Sequence, residues 1–430
     1  MTANSSTALT SSGAGELDVT DPLRSWRAHF ALPRNERGSE LIYMCGHSLG
    51  LAPLAARARV LEELEDWERL GVLGHEHARR AWIGYADRLG PGLAVLAGAQ
   101  PAEVVAMNSL TVNLHLLLAS FYRPTSTRHR ILIEAGAFSS DHHALSSQIR
   151  WHGYDPATAL IEVTPRPGEE LLRPEDVEAR IGAEGAGLAL VLWPGVQYRT
   201  GQAFDLPELV RQTRRAGALV GFDLAHAIGN LPLALHDSEA DFAVWCSYKY
   251  LNGGPGAIGG AFVHERHAHN VQLPRLSGWW GSDAATRFCM SDQFKLSSGA
   301  AGWQVSNPPV LSAAPLCESL AMFTSAGLDA LRAKSQRLTN FLHEALLSQC
   351  GQDIAMITGA DPKWRGCQLS VRVRGGTERA RRVFAALGKR GVVGDWREPD
   401  TIRLAPVPFY NTFTEAWCAA VQFAAALGEQ

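Results

Sequence analysis

A lysine lies between two tyrosines at the mouth of a glycine-rich stretch, Trp245-Cys246-Ser247-Tyr248-Lys249-Tyr250-Leu251-Asn252-Gly253-Gly254-Pro255-Gly256. The apolar run Phe242 to Trp245 before it reads as a short buried strand. Where a buried strand opens into a permissive loop, a lysine can be desolvated. Desolvation lowers an amine's pKa and makes it nucleophilic, as a Schiff-base lysine requires. Upstream, Ala218-Leu219-Val220-Gly221-Phe222-Asp223 is a second apolar run, ending in a carboxylate and followed by Leu224-Ala225-His226. Ligands of open α/β sheets gather at the carboxyl ends of strands. One such end delivers Asp223 and His226, a later one Tyr248 and Lys249. A lysine for a Schiff base and an acid for a pyridinium nitrogen are the pair that pyridoxal phosphate (PLP) needs. The plain alternatives are a surface lysine beside a turn and, for Asp223, a helix N-cap or a metal ligand.

The elements that must position these groups follow from patterning. Glu103 to Met107 reads as a strand, and Asn108-Ser109-Leu110-Thr111 opens an apolar helix from Val112 to Phe121. Free backbone N–H groups and the helix dipole at such a start suit a phosphate, although simple N-capping gives the same pattern. Arg130 to Glu134 is a strand followed by Ala137-Phe138-Ser139-Ser140-Asp141-His142-His143. Phe138, an aromatic at a strand end, suits stacking on a planar cofactor as well as a core position. Leu188 to Trp193 is a fully apolar strand and Leu206 to Ala216 a helix. Strand, helix, strand repeats from about residue 100 to 265, which predicts a mainly parallel α/β sheet. Beyond it, Leu328 to Ser348 is a long amphipathic helix. It leads into an α+β region with strands Leu369 to Val373 and Thr401 to Leu404, and with a capping box Thr412-Phe413-Thr414-Glu415. At the other end, Asp21 to Phe30 reads as a short helix and Leu41 to Met44 as a strand. These divisions predict a tail without structure over 1–16, an N-terminal arm over 17–60 contributing to a small domain, a large cofactor domain over 61–310 and a C-terminal small domain over 311–430.

Composition bounds the function. The 430 residues are 46% hydrophobic and 19% charged, with a net charge of −3 and no long basic run. That balance describes an ordinary globular protein and disfavours nucleic acid or an anionic membrane as partner. Seven dispersed cysteines without CxxC pairs suggest a reducing cytoplasm and no disulfide framework. No apolar run approaches a membrane span. Gly46-His47-Ser48-Leu49-Gly50 matches the nucleophile elbow G-x-S-x-G. At most one strand precedes it and no glycine-rich oxyanion segment lies upstream, so a glycine-punctuated turn is the better reading. Gly74-His75-Glu76-His77 lacks H-E-x-x-H spacing and a third ligand, so no metal site is expected. His264-Glu265-Arg266-His267-Ala268-His269 reads as a solvated helix face.

In combination these blocks resemble kynureninase, a PLP-dependent family of fold type I. The matching stretches are Gly46 to Gly50, Leu110 to His115, Phe138 to Asp141, Gly221 to His226, Trp245 to Gly254, Gly278-Trp279-Trp280-Gly281, Ser306-Asn307-Pro308-Pro309 and Gly394-Asp395-Trp396-Arg397-Glu398-Pro399. The resemblance runs from about residue 25 to the end, and the Ser306-Asn307 block looks closer to the animal-type enzymes that cleave 3-hydroxykynurenine. It implies a PLP-dependent transferase-like fold, hydrolytic Cβ–Cγ cleavage of a kynurenine to an anthranilate and alanine, and a homodimer sharing its active sites. It also implies roles. Lys249 would hold the cofactor as a Schiff base and move the Cα proton, and Tyr248 would protonate Cβ after the bond to Cγ breaks. Asp223 would pair with the pyridinium nitrogen and Phe138 would stack on the ring. Leu110, Thr111, Ser139, Ser140, Asp141, His226 and Tyr248 would complete the cofactor site. Trp279 and Asn307 would come from the neighbouring subunit, His75 and Asn307 would contact the substrate's aromatic ring, and Arg403 would hold its α-carboxylate. Three residues depart from the family pattern: His47 for Asn, Pro194 for a hydroxyl residue and Ser282 for His. Competing readings are a cysteine desulfurase, with Cys367 as the nearest candidate nucleophile, and a catalytically silent protein of the same fold.

Overall fold

The structure, a computed structural model, describes residues 9–268 and 270–429. The chain folds into two compact units. One spans Ala55–Tyr198 and Phe204–Thr324; the other gathers the chain up to Leu54, the short piece Arg199–Ala203 and the chain from Ser325 onward.

The first unit is built on a seven-stranded sheet. In spatial order its strands are Val104–Ala106, Gly260–Val263, Phe242–Trp245, Leu219–Asp223, Leu188–Pro194, Arg130–Glu134 and Leu160–Val163. Only Gly260–Val263 runs antiparallel to its neighbours; every other pairing is parallel. The arrangement is the mainly parallel α/β sheet that the sequence predicts. Its inner strands, such as Phe242–Trp245 and Leu188–Pro194, are continuous apolar runs because helices cover both faces of such a sheet. Phe242, Ala243, Val244 and Trp245 are all fully buried. Two glycines let the strands around the lysine pack closely. A Cβ on Gly260 would lie 2.3 Å from Cε2 of Trp245, and one on Gly221 would lie 2.1 Å from the Phe242 ring.

The second unit carries a four-stranded antiparallel sheet in the order Asp395–Arg397, Thr401–Leu404, Leu369–Val373, Ile354–Met356. Helix Leu328–Cys350 packs against helix Phe413–Gly428 over a core of Leu338, Leu342, Leu346, Ala416, Ala420 and Phe423. The capping box holds: Glu415 N donates to Thr412 Oγ1 at 3.0 Å, and Thr412 N to Glu415 Oε2 at 3.1 Å.

Three sequence expectations change. The structureless tail over 1–16 does not extend that far. Residues 1–8 lie outside the described residues, but Ser11–Val19 is a helix capped by Thr10. It is held because Asp18 accepts N–H groups from Phe413 and Thr414, while Ala14 is buried in the core. The helix expected over Asp21 to Phe30 is a 3-10 helix over Arg24–His29. The histidine-rich segment is not a solvated face. His264 is buried and His267 Nε2 lies 2.7 Å from the Asp241 carboxylate. His269 lies outside the described residues.

Candidate active site

In the first unit, the strand ends converge on a cavity of about 80 Å³ lined by Leu110, Thr111, Glu134, Phe138, Ser140, Asp141, Pro194, Asp223, His226, Tyr248 and Lys249, among others. Lys249 reaches it because its loop is tightly closed. Gly253 N donates to Ser247 O at 2.8 Å and Asn252 N to Lys249 O at 3.0 Å. A Cβ on Gly253 would stand 2.9 Å from Ser247 O, so the closure needs glycine. Lys249 Nζ lies 3.2 Å from His226 Nε2 and 5.8 Å from the ring centroids of both Phe138 and Tyr248. Asp223, on the neighbouring strand, accepts the Ala225 N–H at 2.7 Å.

The electrostatics follow from burial. Desolvation raises the Asp223 carboxyl above the ordinary aspartate value, opposed by the nearby Lys249 ammonium. Desolvation, together with the charge and hydrogen bond of Asp223, lifts Asp141 well above its usual range. Burial also raises the Tyr248 hydroxyl, with Cys246 beside it as the second cause. Tyr248 therefore stays a proton donor at neutral pH.

The residues present fit PLP. The cavity joins an amine, a carboxylate from the neighbouring strand, an aromatic ring and a phosphate-sized set of donors. Helix Leu110–Phe121 starts at the cavity, and first-turn amides have no intrahelical acceptor. Thr111 Oγ1 and Ser140 Oγ stand 2.8 Å apart beside it, and Ser139 opens helix Ser139–Trp151. Asp141 Oδ1 is buried without a hydrogen-bond partner, a polar atom the protein alone does not satisfy.

His75, Trp279 and Asn307 do not line this cavity. They line a second one of about 540 Å³ in the same unit, with Trp82, Trp280 and Phe288, and the two share no lining residue. There His75 meets Trp82 edge to face at 5.5 Å, and Trp279 meets Phe288 at 5.4 Å. Arg403 belongs to the other unit, fully buried, with Nε 3.0 Å from Asp395 Oδ1 and Nη2 2.8 Å from Oδ2. Among the departures, Pro194 pairs in register with Asp223 and lines the Lys249 cavity. His47 is buried in the second unit, and Ser282 Oγ donates to Trp279 O at 2.6 Å. Gly46 to Gly50 forms a turn, Ser48 N donating to Cys45 O, and not a strand-to-helix elbow. Cys367 is fully buried.

Sequence reasoning missed Glu134 and Gln197. Glu134 ends an apolar strand, lines the cavity and hydrogen-bonds Gln197. An apolar strand ending in a carboxylate is the signal that picked out Asp223, and Arg130-Ile131-Leu132-Ile133-Glu134 carries it too.

Comparison with known proteins gives the family. The chain is 55% identical over 421 residues to the kynureninase of Xanthomonas campestris pv. campestris (strain B100), spanning 96% of this chain and 99% of that one. The chain belongs to the kynureninase family. The kynureninase of Xanthomonas euvesicatoria pv. vesicatoria is 56% identical over the same shares. Residues 331–423 match the model of the kynureninase C-terminal domain. Among solved structures, a mutant of the lyase C-DES with glycine covalently linked to its PLP cofactor superimposes with a TM-score of 0.75 at 16% identity, covering 89% of this chain and 96% of that one. The Escherichia coli cysteine desulfurase CsdA gives 0.73 at 16%, covering 95% and 98%. At such identity these two share the fold alone with a kynureninase.

Proposed function

We propose that this member of the kynureninase family binds PLP at Lys249 and hydrolyses the Cβ–Cγ bond of a kynurenine, releasing an anthranilate and L-alanine. The observation that carries it is the Lys249 amine, 3.2 Å from His226 in a cavity with Asp223, in a chain so like the Xanthomonas enzymes over nearly its whole length. PLP supplies a protonated ring that takes up electrons from the substrate.

The chain's own residues do the rest. Asp223 holds the ring nitrogen's proton and Phe138 bears on the ring face. The first amides of helix Leu110–Phe121, with Thr111, Ser139, Ser140 and Asp141, hold the phosphate end. Lys249 carries the proton that leaves Cα, with His226 keeping its amine in place. Tyr248, buried and protonated, gives its proton to Cβ, the carbon that stays behind as the methyl of alanine. Arg403 recognises the α-carboxylate, its fork oriented by Asp395.

The aromatic cavity of His75, Trp279 and Asn307 receives the substrate's ring. We assign it to the Lys249 cavity of a second copy, because the two cavities of one chain have no residue in common. The working molecule is then a homodimer with shared sites, and Trp279 and Asn307 approach the cofactor from the partner. The unit holding Lys249 acts as the large cofactor domain and the other as the small one. Polar groups on His75 and Asn307 favour a ring hydroxyl, hence 3-hydroxy-L-kynurenine over L-kynurenine. Location in the cytoplasm fits the dispersed thiols, and among the described residues no helix is long and apolar enough to cross a membrane.

The test is purified protein with PLP, given the two substrates in parallel, with anthranilate product and alanine quantified. Release of both products in equal amounts is expected, with the higher kcat/KM for the hydroxylated substrate. A visible cofactor band without cleavage of either would remove the substrate assignment and leave the cofactor site.

A further inference from the structure

Helix Leu54–Leu70 carries two buried carboxylates, Glu63 at 1% exposure and Asp66 at 0%. Three positions apart, they share one face of the helix. The segment from Gly74 to Tyr85, which bears His75, is stapled to that face. Asp66 Oδ2 accepts the Arg79 N–H at 2.7 Å. Glu63 Oε1 accepts Arg80 Nε at 2.6 Å and the Tyr85 hydroxyl at 3.0 Å. Glu63 Oε2 accepts the indole N–H of Trp82 at 3.2 Å. The Arg80 guanidinium offsets the buried Glu63 charge, so Tyr85 and Trp82 donate to a paired anion held in place.

Of these donors, Trp82 alone is among the described residues lining the aromatic cavity, and Glu63 is not among them. Trp82 meets His75 edge to face, with ring centroids 5.5 Å apart and planes at 84°. The indole lies across the backbone of Gly74, where a Cβ would stand 2.3 Å from its Cη2. A ring held by packing alone can tilt and slide in its own plane. A hydrogen bond at Nε1 removes that freedom, because it fixes both the position and the direction of one edge. We propose that Glu63 is a positioning residue for the substrate's ring: by holding the Trp82 indole it fixes His75, and with it the wall against which the aryl ketone is seated. A ring seated against a loose wall binds more weakly before any bond breaks, so the effect belongs to KM. The cofactor end is not involved, since the Lys249 cavity shares no lining residue with this wall.

The inference rests on the assignment of this cavity to the substrate's ring. Glu63→Gln isolates the indole bond. Arg80 and Tyr85 converge on Oε1, so the amide oxygen is best used there, and the amide NH2 then faces the indole N–H with nothing to accept it. In the holoenzyme, Glu63→Gln should raise KM for L-kynurenine and 3-hydroxy-L-kynurenine about tenfold, with kcat within about threefold of wild type. The visible band of the bound cofactor should stay as it is. Tyr85→Phe removes a different Glu63 hydrogen bond, and should lower Tm without moving KM. Equal KM shifts in the two variants, or none in Glu63→Gln, overturn the proposal. Should Glu63→Gln fail to fold, Trp82→Phe decides: it keeps an aromatic wall without the N–H, and an unchanged KM overturns the proposal. Wild-type holoenzyme that cleaves neither substrate would count against the proposed reaction alone. The readout is then the Kd of anthranilate, measured by calorimetry, which Glu63→Gln must raise about tenfold. An unchanged Kd, or no binding by wild type, overturns the positioning role.

Discussion

Lys249 and Tyr248 are neighbours in sequence with separable duties. Lys249→Ala should abolish both the visible band of bound cofactor and turnover. Tyr248→Phe should keep the band and lose turnover by about 10²-fold or more; full activity in that variant would remove the role given to its hydroxyl. Burial keeps that hydroxyl protonated far into the alkaline range, so wild type and Tyr248→Phe should share the same alkaline limb in kcat against pH. Glu134 carries a stability signature of its own. Its carboxyl binds a proton more tightly in the folded than in the unfolded chain. The stabilising contribution is therefore complete below the unfolded value and fades as pH rises through the folded one. As pH rises above the ordinary glutamate range, apoprotein Tm should therefore fall less in Glu134→Gln than in wild type. Asp223 and Lys249 were legible because each closes an unbroken apolar run. Glu134 closes one as well, but nothing in the sequence says that its strand lies two places from Asp223. That adjacency is a property of the sheet.

At the scale of elements, legibility followed apolar continuity. Arg130–Glu134, Phe242–Trp245, Leu369–Val373 and Thr401–Leu404 have the ends that their sequences predict. Leu160–Val163 was missed because most of its positions are not fully buried and Glu162 interrupts the run. Gly260–Val263 was missed because it opens on glycine, a poor strand former. That glycine makes room for Trp245. Gly260→Ala should force the indole out of place and cost about 1–3 kcal/mol, seen as a lower Tm. Helix Ser11–Val19 was unreadable because its anchor is tertiary, the Asp18 carboxylate on the amides of Phe413 and Thr414. Close by, Lys334 Nζ lies 2.7 Å from Asp21 Oδ2, with both side chains almost fully buried. Asp21→Asn strands the ammonium and should destabilise by about 3–5 kcal/mol in thermal or urea unfolding.

For the whole molecule, the proposed shared-site dimer makes a quantitative forecast. Lys249→Ala lacks the reacting amine, and Asn307→Ala lacks a ring contact. If each working site takes Lys249 from one copy and Asn307 from the other, a mixture refolded together regains activity. Random pairing puts half the molecules in mixed dimers with one intact site of two, so about a quarter of wild-type activity should return. Two inactive variants that stay inactive on mixing would show that each chain completes its own site.

The two cavities with no residue in common also bear on how such a protein can be altered. A change at His75, Trp82 or Phe288 leaves Lys249, its neighbouring carboxylates, Thr111 and Ser140 untouched. Libraries confined to His75, Trp82 and Phe288, with Trp279 and Asn307 kept, could search for activity on bulkier or differently substituted aryl ketones while leaving the residues proposed to hold the cofactor unchanged. Natural drift has the same freedom, so ring preference is the trait in which relatives should diverge first.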